Sequence, residues 1–152
     1  ILLKPPYLSE KESIEDAVQS AIDTAPHVDK ISINPVNVQK NTVIEKMWFR
    51  NEWTAPWLWS VVEVLKRCED LPVRVYSDPT GGGTRRGAHN CHDCNNKILE
   101  ALKNHRLGSG DLMGLDCECR PRWKFLTKQS SLRRNGAEPH GYRSGFMGGR
   151  HF

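Results

Sequence analysis

Helix and strand signals alternate along the first half of this chain, and that alternation most limits the folds it can adopt. Ser9 and Glu12 have the spacing of a capping box, and apolar residues then recur at every third or fourth position, which predicts a helix. The stretch "DKISINP" alternates apolar and polar residues and stops at Pro35, which predicts a short strand. Thr42 and Glu45 repeat the capping-box spacing and predict a second helix.

The segments on either side continue this pattern. "ILLKP" is typical of the end of a buried strand, and "PVRVYSDP" predicts another strand. Between them, Pro56 marks the start of a third helix with Val61, Val62 and Leu65 on one side. Strands that alternate with helices pair in parallel through right-handed crossovers, so the predicted fold class is α/β. Three strands cannot close a barrel, so they form either an open sheet or the last part of a barrel whose earlier strands precede Ile1.

The carboxyl ends of parallel strands are where the chemistry of α/β proteins is found. The polar residues that follow the three predicted strands are Lys4, Asn34, Asn37, Gln39, Ser77 and Asp78. Amides and a carboxylate gathered at one edge of the sheet predict a binding site for a polar ligand. The alternative is that Asn34 and Asp78 only cap the turns before their prolines.

Two close cysteine pairs predict a metal site. "AHNCHDC" is followed after about two dozen residues by "DCEC", so the candidate ligands are Cys91, Cys94, Cys117 and Cys119. Four thiolates in two pairs match a tetrahedral zinc site. The second pair is tighter than the usual spacing, so His89 is an alternative to one of its members. Disulfides, free thiols and an iron–sulfur cluster are the rival interpretations, although nothing in the sequence signals export to an oxidising compartment.

The segment between the cysteine pairs, "NNKILEALKNHRL", predicts a short helix, and the metal would hold a small lobe that has little core of its own. Cys68 lies at a helix end and is predicted to be a buried, small apolar residue. The expected organisation is an α/β part over residues 1–80, a Cys/His zinc-binding lobe over 81–126, and a basic, glycine-rich tail over 127–152 that is predicted to be disordered.

Charge is distributed unevenly along the chain. Residues up to Asp78 carry a net charge of −3, and those from Pro79 onward carry +7. A basic half favours a polyanionic partner, although a merely solvated basic surface is the alternative. The basic residues that flank the cysteine pairs are expected to form one RNA-binding patch once metal is bound, and they are Arg85, Arg86, Arg120, Arg122 and Lys124.

The glycine-rich stretch "TGGGTRRG" is neither a P-loop nor a dinucleotide fingerprint, and it is interpreted as a flexible arm that carries two of these arginines. No stretch approaches the ~18–20 consecutive apolar residues of a membrane span, so no membrane partner is predicted and the expected location is the cytoplasm.

Five stretches in order resemble a known family over residues 1 to 126: "KPPYLSEKESIEDAVQSA", "SINPVNVQKNT", "APWLWSVVEVL", "VYSDPTGGG", and "RRGAHNCHDC" with the later "DCEC". Together they are similar to the carboxyl half of the radical S-adenosylmethionine subunit of archaeosine synthase, a tRNA-modifying family. The last twenty or so residues do not resemble the end expected for that family.

The resemblance implies the carboxyl-terminal part of a partial TIM-type barrel that binds S-adenosylmethionine and a [4Fe–4S] cluster. It also implies chemistry on a lysine-modified deazaguanine base in archaeal tRNA, after a partner enzyme has attached the lysine. Asn34, Asn37, Gln39 and Asp78 would then face the adenosyl group or the modified base, and the cofactor would supply the radical.

The cluster motif of such enzymes, Cys-x-x-x-Cys-x-x-Cys, does not occur in this chain and would lie upstream of Ile1. The polypeptide is therefore expected to be a fragment that is inactive alone. The rival hypotheses are a non-catalytic, zinc-dependent RNA-binding module and a structural α/β domain whose metal serves stability only.

Overall fold

The computed structural model describes residues 1–129, and parallel strand segments lie at its centre. β1 pairs with β3 and β2 pairs with β4, in both cases in parallel. Only Ile33 separates β2 from β3, and its backbone N–H donates to Tyr76 O at 2.8 Å. Residues 30–35 are thus one extended segment flanked by the other two strands, and the bounds are β1 Leu2–Leu3, β2 Lys30–Ser32, β3 Asn34–Pro35 and β4 Arg74–Tyr76. The three predicted strands are present as an open parallel arrangement; closure into a barrel remains a prediction.

Five helices cover this arrangement within the described residues: α1 Glu10–Thr24, α2 Val43–Phe49, α3 Leu58–Arg67, α4 His92–Leu107 and α5 Arg120–Gln129. The capping box that starts α1 is complete. Ser9 Oγ accepts a hydrogen bond from Glu12 N at 3.3 Å, and Glu12 Oε2 accepts one from Ser9 N at 2.8 Å. α1 packs against both α3 and α5. None of the helices in the described part of the chain is long and apolar enough to cross a membrane.

The second predicted capping box is only half formed. Thr42 Oγ1 accepts from Glu45 N at 3.2 Å, but the Glu45 carboxylate accepts from Asn41 N at 2.8 Å instead of from Thr42. Asn41 has a φ of 63°, and in this left-handed turn its backbone N–H donates to the Glu45 carboxylate of α2. The third helix also begins later than predicted, since Leu58 is its first residue and Pro56 precedes it by two positions.

One hydrophobic core joins the sheet to every helix except α2. Its members include Leu3 and Ile33 of the extended segments, Val61 of α3, Ile98 of α4 and Trp123 of α5, all of them buried. The cysteine-containing segment therefore packs into the same core as the sheet. A second, smaller core lies under α2 and consists of Val38, Met47, Trp53 and Ala55.

A buried polar network connects the end of β1 to three helices. Lys4 follows β1 directly, and its Nζ lies 2.6 Å from Glu10 Oε2 and 3.0 Å from Thr54 Oγ1. The other carboxylate oxygen of Glu10 accepts from Ser60 Oγ at 2.5 Å, and Ser60 Oγ accepts from Trp123 Nε1 at 2.8 Å. The network thus fixes α1, α3 and α5 around the carboxyl end of the first strand.

The predicted tail begins inside a helix, because α5 continues to Gln129. Residues 130–152, where disorder was predicted, lie outside the described residues.

Candidate metal centre and strand-end groove

The four cysteines of the two pairs converge at one point between α4 and α5. Cys91 is the N-cap residue of α4, Cys94 lies in its first turn, and Cys117 and Cys119 directly precede α5. The Cys91 sulfur lies 3.5 Å from those of Cys94 and Cys117, and the Cys94 and Cys119 sulfurs are 3.6 Å apart. All four sulfur atoms lie within 4.8 Å of one another, so the group could hold a metal ion.

The turns around the cysteines are held by hydrogen bonds from neighbouring residues. Asn90 Oδ1 accepts from Trp59 N at 3.1 Å, which ties the residue before Cys91 to α3. The indole Nε1 of Trp59 donates to Cys119 Sγ at 3.2 Å. Hydrogen bonds to metal ligands from residues that do not bind the metal themselves help to orient those ligands.

The spacing of the sulfurs suits a single ion. A tetrahedral zinc with Zn–S bonds of about 2.3 Å would place its thiolates roughly 3.8 Å apart. A [4Fe–4S] cluster binds each cysteine to a different iron, which requires wider separations. All five cysteines, Cys68 included, are free thiols, so none of them is in a disulfide. Cys68 is only 1% exposed, as predicted, and burial raises the pKa of its thiol.

His89 lies outside this group, so the second pair needs no substitute ligand among the described residues. Its Nδ1 is 2.8 Å from Gly87 O, a contact that holds the imidazole against the preceding loop. Both sulfurs of the tight Cys-x-Cys pair lie within reach of the pair on α4, which favours four cysteines as the ligand set.

The thiols of Cys91, Cys94 and Cys117 have shifted pKa values, and the shifts differ in direction. Burial raises the pKa of Cys91, but hydrogen bonds from Cys117 and Cys94 outweigh it and lower that pKa to about 7. The pKa of Cys94 is raised, chiefly by burial and then by its hydrogen bond to Cys91. The Cys119 backbone lowers the pKa of Cys117, but its contact with Cys91 and burial raise it above the ordinary value. One thiolate, on Cys91, is therefore favoured when no metal is bound.

Metal uptake is expected to release protons and to weaken as pH falls. At neutral pH, Cys94 and Cys117 hold protons that must leave before their sulfurs can bind a cation. Below about pH 7 Cys91 is protonated as well, so the fall in affinity should become steeper. Calorimetric titration with Co²⁺ at pH 8 and pH 6, in buffers of different ionisation enthalpy, measures both effects. An affinity that does not change with pH would contradict this assignment.

Three of the four predicted ligand-binding residues come together in a groove at the carboxyl end of β3. Asn34, Asn37 and Gln39 line a cavity of about 430 Å³, whose apolar walls include Pro35 and Ile44. The amides are connected, because Gln39 Nε2 donates to Asn37 Oδ1 at 2.6 Å. This strand-end groove has a mostly apolar lining with a few polar side chains, which is typical of small-ligand sites.

Asp78 is not part of that groove. Its carboxylate pairs with Arg106 of α4 at 3.1 Å and lines a separate cavity of about 390 Å³. Ser77, the other strand-end residue of β4, is 1% exposed, and its hydroxyl has no hydrogen-bond partner.

The predicted basic patch is divided between two parts of the fold. Arg85 and Arg86 lie over the ring of Trp48 in α2, with Cζ at 6.0 and 5.0 Å from its centroid. Arg120 instead lies over Trp59, 5.4 Å from that centroid, and donates to Leu115 O at 3.1 Å.

The other two members, Arg122 and Lys124, are exposed on α5. None of the contacts recorded for residues 1–129 joins the two groups. Sequence reasoning missed the aromatic partners on α2, although the pattern "KMWFR" carries two adjacent aromatic residues between cations.

The glycine-rich stretch is a compact loop. A Cβ at Gly87 would lie 2.1 Å from Gly81 O, and one at Gly82 would lie 2.6 Å from Leu99 Cδ2. The backbone of this loop therefore packs on itself and on α4, and the predicted flexible arm is not what the structure shows.

Comparison with known proteins finds three similar ones. A protein named archaeosine synthase subunit beta from Methanosarcina acetivorans is 42% identical over 130 residues, which cover 82% of this chain and 37% of that protein. A protein of the same name from Thermococcus kodakarensis is 41% identical over 138 residues, covering 87% of this chain and 42% of that protein. An uncharacterised protein of Methanocaldococcus jannaschii is 33% identical over 129 residues.

The chain spans well under half the length of these relatives. No protein-family model matches it, and no solved structure does.

Proposed function

We propose that this chain forms part of a radical S-adenosylmethionine enzyme that modifies tRNA, of the archaeosine synthase type. The observation that carries the proposal is the identity of 41 to 42%, over most of the chain, to two proteins named archaeosine synthase subunit beta. The radical chemistry is proposed because the five stretches in order, from "KPPYLSEKE" to "DCEC", resemble the radical S-adenosylmethionine subunit of that family. The parallel strands would be the carboxyl-terminal part of a partial TIM-type barrel, whose ligand sites lie at the carboxyl ends of its strands.

The strand-end groove fits S-adenosylmethionine or the modified base. Asn34, Asn37 and Gln39 offer amide donors and acceptors beside apolar walls, which suits a planar, polar heterocycle such as adenine. S-adenosylmethionine supplies the radical when it is bound, and these residues orient the reacting groups and exclude water. Asp78 lies in the neighbouring cavity and is ion-paired, so its role would be to position α4.

The residues present do not fit a [4Fe–4S] cluster. The Cys-x-x-x-Cys-x-x-Cys motif does not occur in the chain, and the four converging thiols lie within 4.8 Å, too close to bind four separate irons. The cluster ligands would come from residues outside this chain. We assign zinc to the four thiols, because zinc takes tetrahedral thiolate sites of this size.

The substrate of the complete enzyme would be tRNA with a lysine-modified deazaguanine base, supplied by a partner enzyme that attaches the lysine. The positive charge of the second half of the chain suits a polyanion of this kind. The zinc-binding segment would hold Arg120 and its neighbours on α5 in place beside the tRNA.

S-adenosylmethionine cleavage by the complete gene product tests the proposal. The protein is reconstituted with iron and sulfide under reducing conditions and mixed with tRNA that carries the lysine adduct. We expect cleavage, and we expect Asn37→Ala to weaken S-adenosylmethionine binding by about tenfold because one hydrogen bond is lost. Asn96→Ala, at an exposed position on α4, is the control and should bind normally. If the reconstituted protein does not cleave S-adenosylmethionine, the proposal that it is a radical enzyme is rejected.

A non-catalytic, zinc-dependent RNA-binding module is the second candidate. It is favoured by the thiol site, which the chain builds entirely from its own residues. The same assay discriminates the two, because such a module would bind tRNA in a zinc-dependent way without cleaving S-adenosylmethionine.

A further inference from the structure

Two adjacent aromatic rings lie at the surface of α2. Phe49 is 66% exposed, and its ring centroid lies 5.1 Å from that of half-buried Trp48, with the planes tilted by 59°. Trp48 packs against the small core under α2, which fixes the position of the pair. Most of the Phe49 side chain is therefore open to solvent, beside a tryptophan that is anchored in the core.

The two arginines beside these rings have different roles. Arg86 is held in place, because its Nη1 lies 2.8 Å from Glu45 Oε1 and 3.3 Å from Val38 O, and its Cζ lies 5.9 Å from the Phe49 centroid. Arg85 is exposed, and its Cζ lies over the Trp48 ring at 6.0 Å from the centroid. Arg86 is thus structural, and Arg85 is the cation that faces solvent.

Two further cations extend the charge of this surface. Lys46 of α2 and Arg50, the C-cap residue of that helix, are both exposed and lie four positions apart, so they are neighbours at its carboxyl end. Like charges at this spacing destabilise a helix slightly. Glu45, the acid nearest to them on the helix, is already paired with Arg86. The surface therefore combines an exposed aromatic face with cations that a polyanion would neutralise.

We propose that this aromatic–cationic surface, formed by Lys46, Trp48, Phe49, Arg50 and Arg85, binds an unpaired segment of RNA. One base stacks on Phe49, and Lys46, Arg50 and Arg85 contact the phosphates around it. Stacking on an aromatic ring needs a base that has left its helix, which distinguishes single-stranded from duplex RNA. The inference rests on the proposed function, in that RNA is the substrate, and it joins Arg85 of the predicted patch to four residues that the patch did not contain.

The test compares Phe49→Ala with Phe125→Ala, which removes a ring of similar exposure, 58%, from α5. The probes are a single-stranded oligoribonucleotide that contains 2-aminopurine, the same strand annealed to its complement, and tRNA. Phe49→Ala should weaken single-strand binding by about tenfold or more, and Phe49→Trp should retain it. Phe49→Ala and Phe125→Ala should bind the duplex with equal affinity. Arg85→Ala should lower the log–log salt slope by roughly one phosphate contact, about 0.7.

The possible outcomes separate this site from the proposed function. If wild type binds tRNA and Phe49→Ala equals Phe125→Ala on the single strand, the surface is not a stacking site, whereas the proposed function stands. If wild type binds none of the three RNAs, both the site and the tRNA part of the proposed function fall. If Phe49→Ala keeps its full RNA affinity but no longer binds a protein that the wild type binds, the surface is a protein-binding site and the inference is overturned. Melting curves of both variants confirm that the fold is intact.

Discussion

Replacing Cys94 by serine is expected to abolish tight metal binding and to unfold the segment from Cys91 to Gln129. Its sulfur lies 3.5 Å from that of Cys91 and 3.6 Å from that of Cys119, so it is central to the group. Metal affinity in thiolate sites is folding free energy, on the order of 10 kcal/mol for small zinc domains at neutral pH. Loss of one of four ligands should remove a large part of it.

The effect should be confined to one part of the fold. The turns that carry the cysteines are joined to the rest of the fold through hydrogen bonds with Trp59, and α4 and α5 are joined to it through Ile98 and Trp123 of the main core, whereas the strands pair with one another and need no metal. Hydrogen exchange should therefore show lost protection from Cys91 onward, with the strands still protected.

The control for this variant is Cys68→Ala, which changes the one cysteine that lies outside the site. Elemental analysis should find about one zinc per chain in wild type and in Cys68→Ala, and almost none in Cys94→Ser. Full zinc content in Cys94→Ser, or unchanged exchange after chelation, would show that the four thiols do not form the metal centre. Iron with inorganic sulfide in the wild type would identify a cluster instead of zinc.

Local patterns were sufficient to predict four of the five α-helices of the described residues, the strands and the two cysteine pairs, whereas α5 was not predicted. A capping box is a contact between residues three apart, and an apolar face repeats within one helix, so Ser9 and Glu12 carry their own signal. The pair of Cys91 and Cys94 is also a local pattern, because the two residues are three positions apart. Errors of this kind are small, as at α3, where the helix begins at Leu58 instead of at Pro56.

Contacts between distant segments could not be predicted in this way. Arg86 is separated from Glu45 by more than 40 positions, and only the path of the loop from Pro79 to Ala88 brings them together. That path depends on Gly82, whose missing side chain leaves room for Leu99. The sequence shows the cations around the cysteines, but the fold decides which of them share a surface.

The buried ion pair was also missed, although its two residues are close in the sequence. Lys4 and Glu10 are charged, and hydropathy patterns assign such residues to the surface. Lys4 is brought inward by a left-handed backbone turn with a φ of 64°, directly after β1. Nothing in the residue types around it predicts that turn, since Lys4 is followed by two prolines and no glycine is near.

Replacing Glu10 by alanine is therefore expected to destabilise the fold strongly. The side chains of Lys4 and Glu10 are 8% and 7% exposed, and the variant would leave the Lys4 ammonium buried without a carboxylate, beside Thr54 Oγ1 and the ring of Trp53. Removing one member of a buried pair typically costs about 3–5 kcal/mol. Glu10 also accepts from the Trp57 backbone N–H at 2.8 Å and from Ser60 Oγ, and both donors would lose this acceptor.

The matched control is Glu15→Ala, because Glu15 lies on the same helix and also pairs with a cation. Its partner Arg67 is 2.9 Å away, but the two side chains are 54% and 36% exposed, so the expected loss is about 1 kcal/mol or less. Urea unfolding followed by circular dichroism measures both variants. The double variant Lys4→Met with Glu10→Leu should recover a large part of the loss, since it leaves no unpaired charge. Equal losses for Glu10→Ala and Glu15→Ala would show that the buried pair does not hold the strand end to the helices.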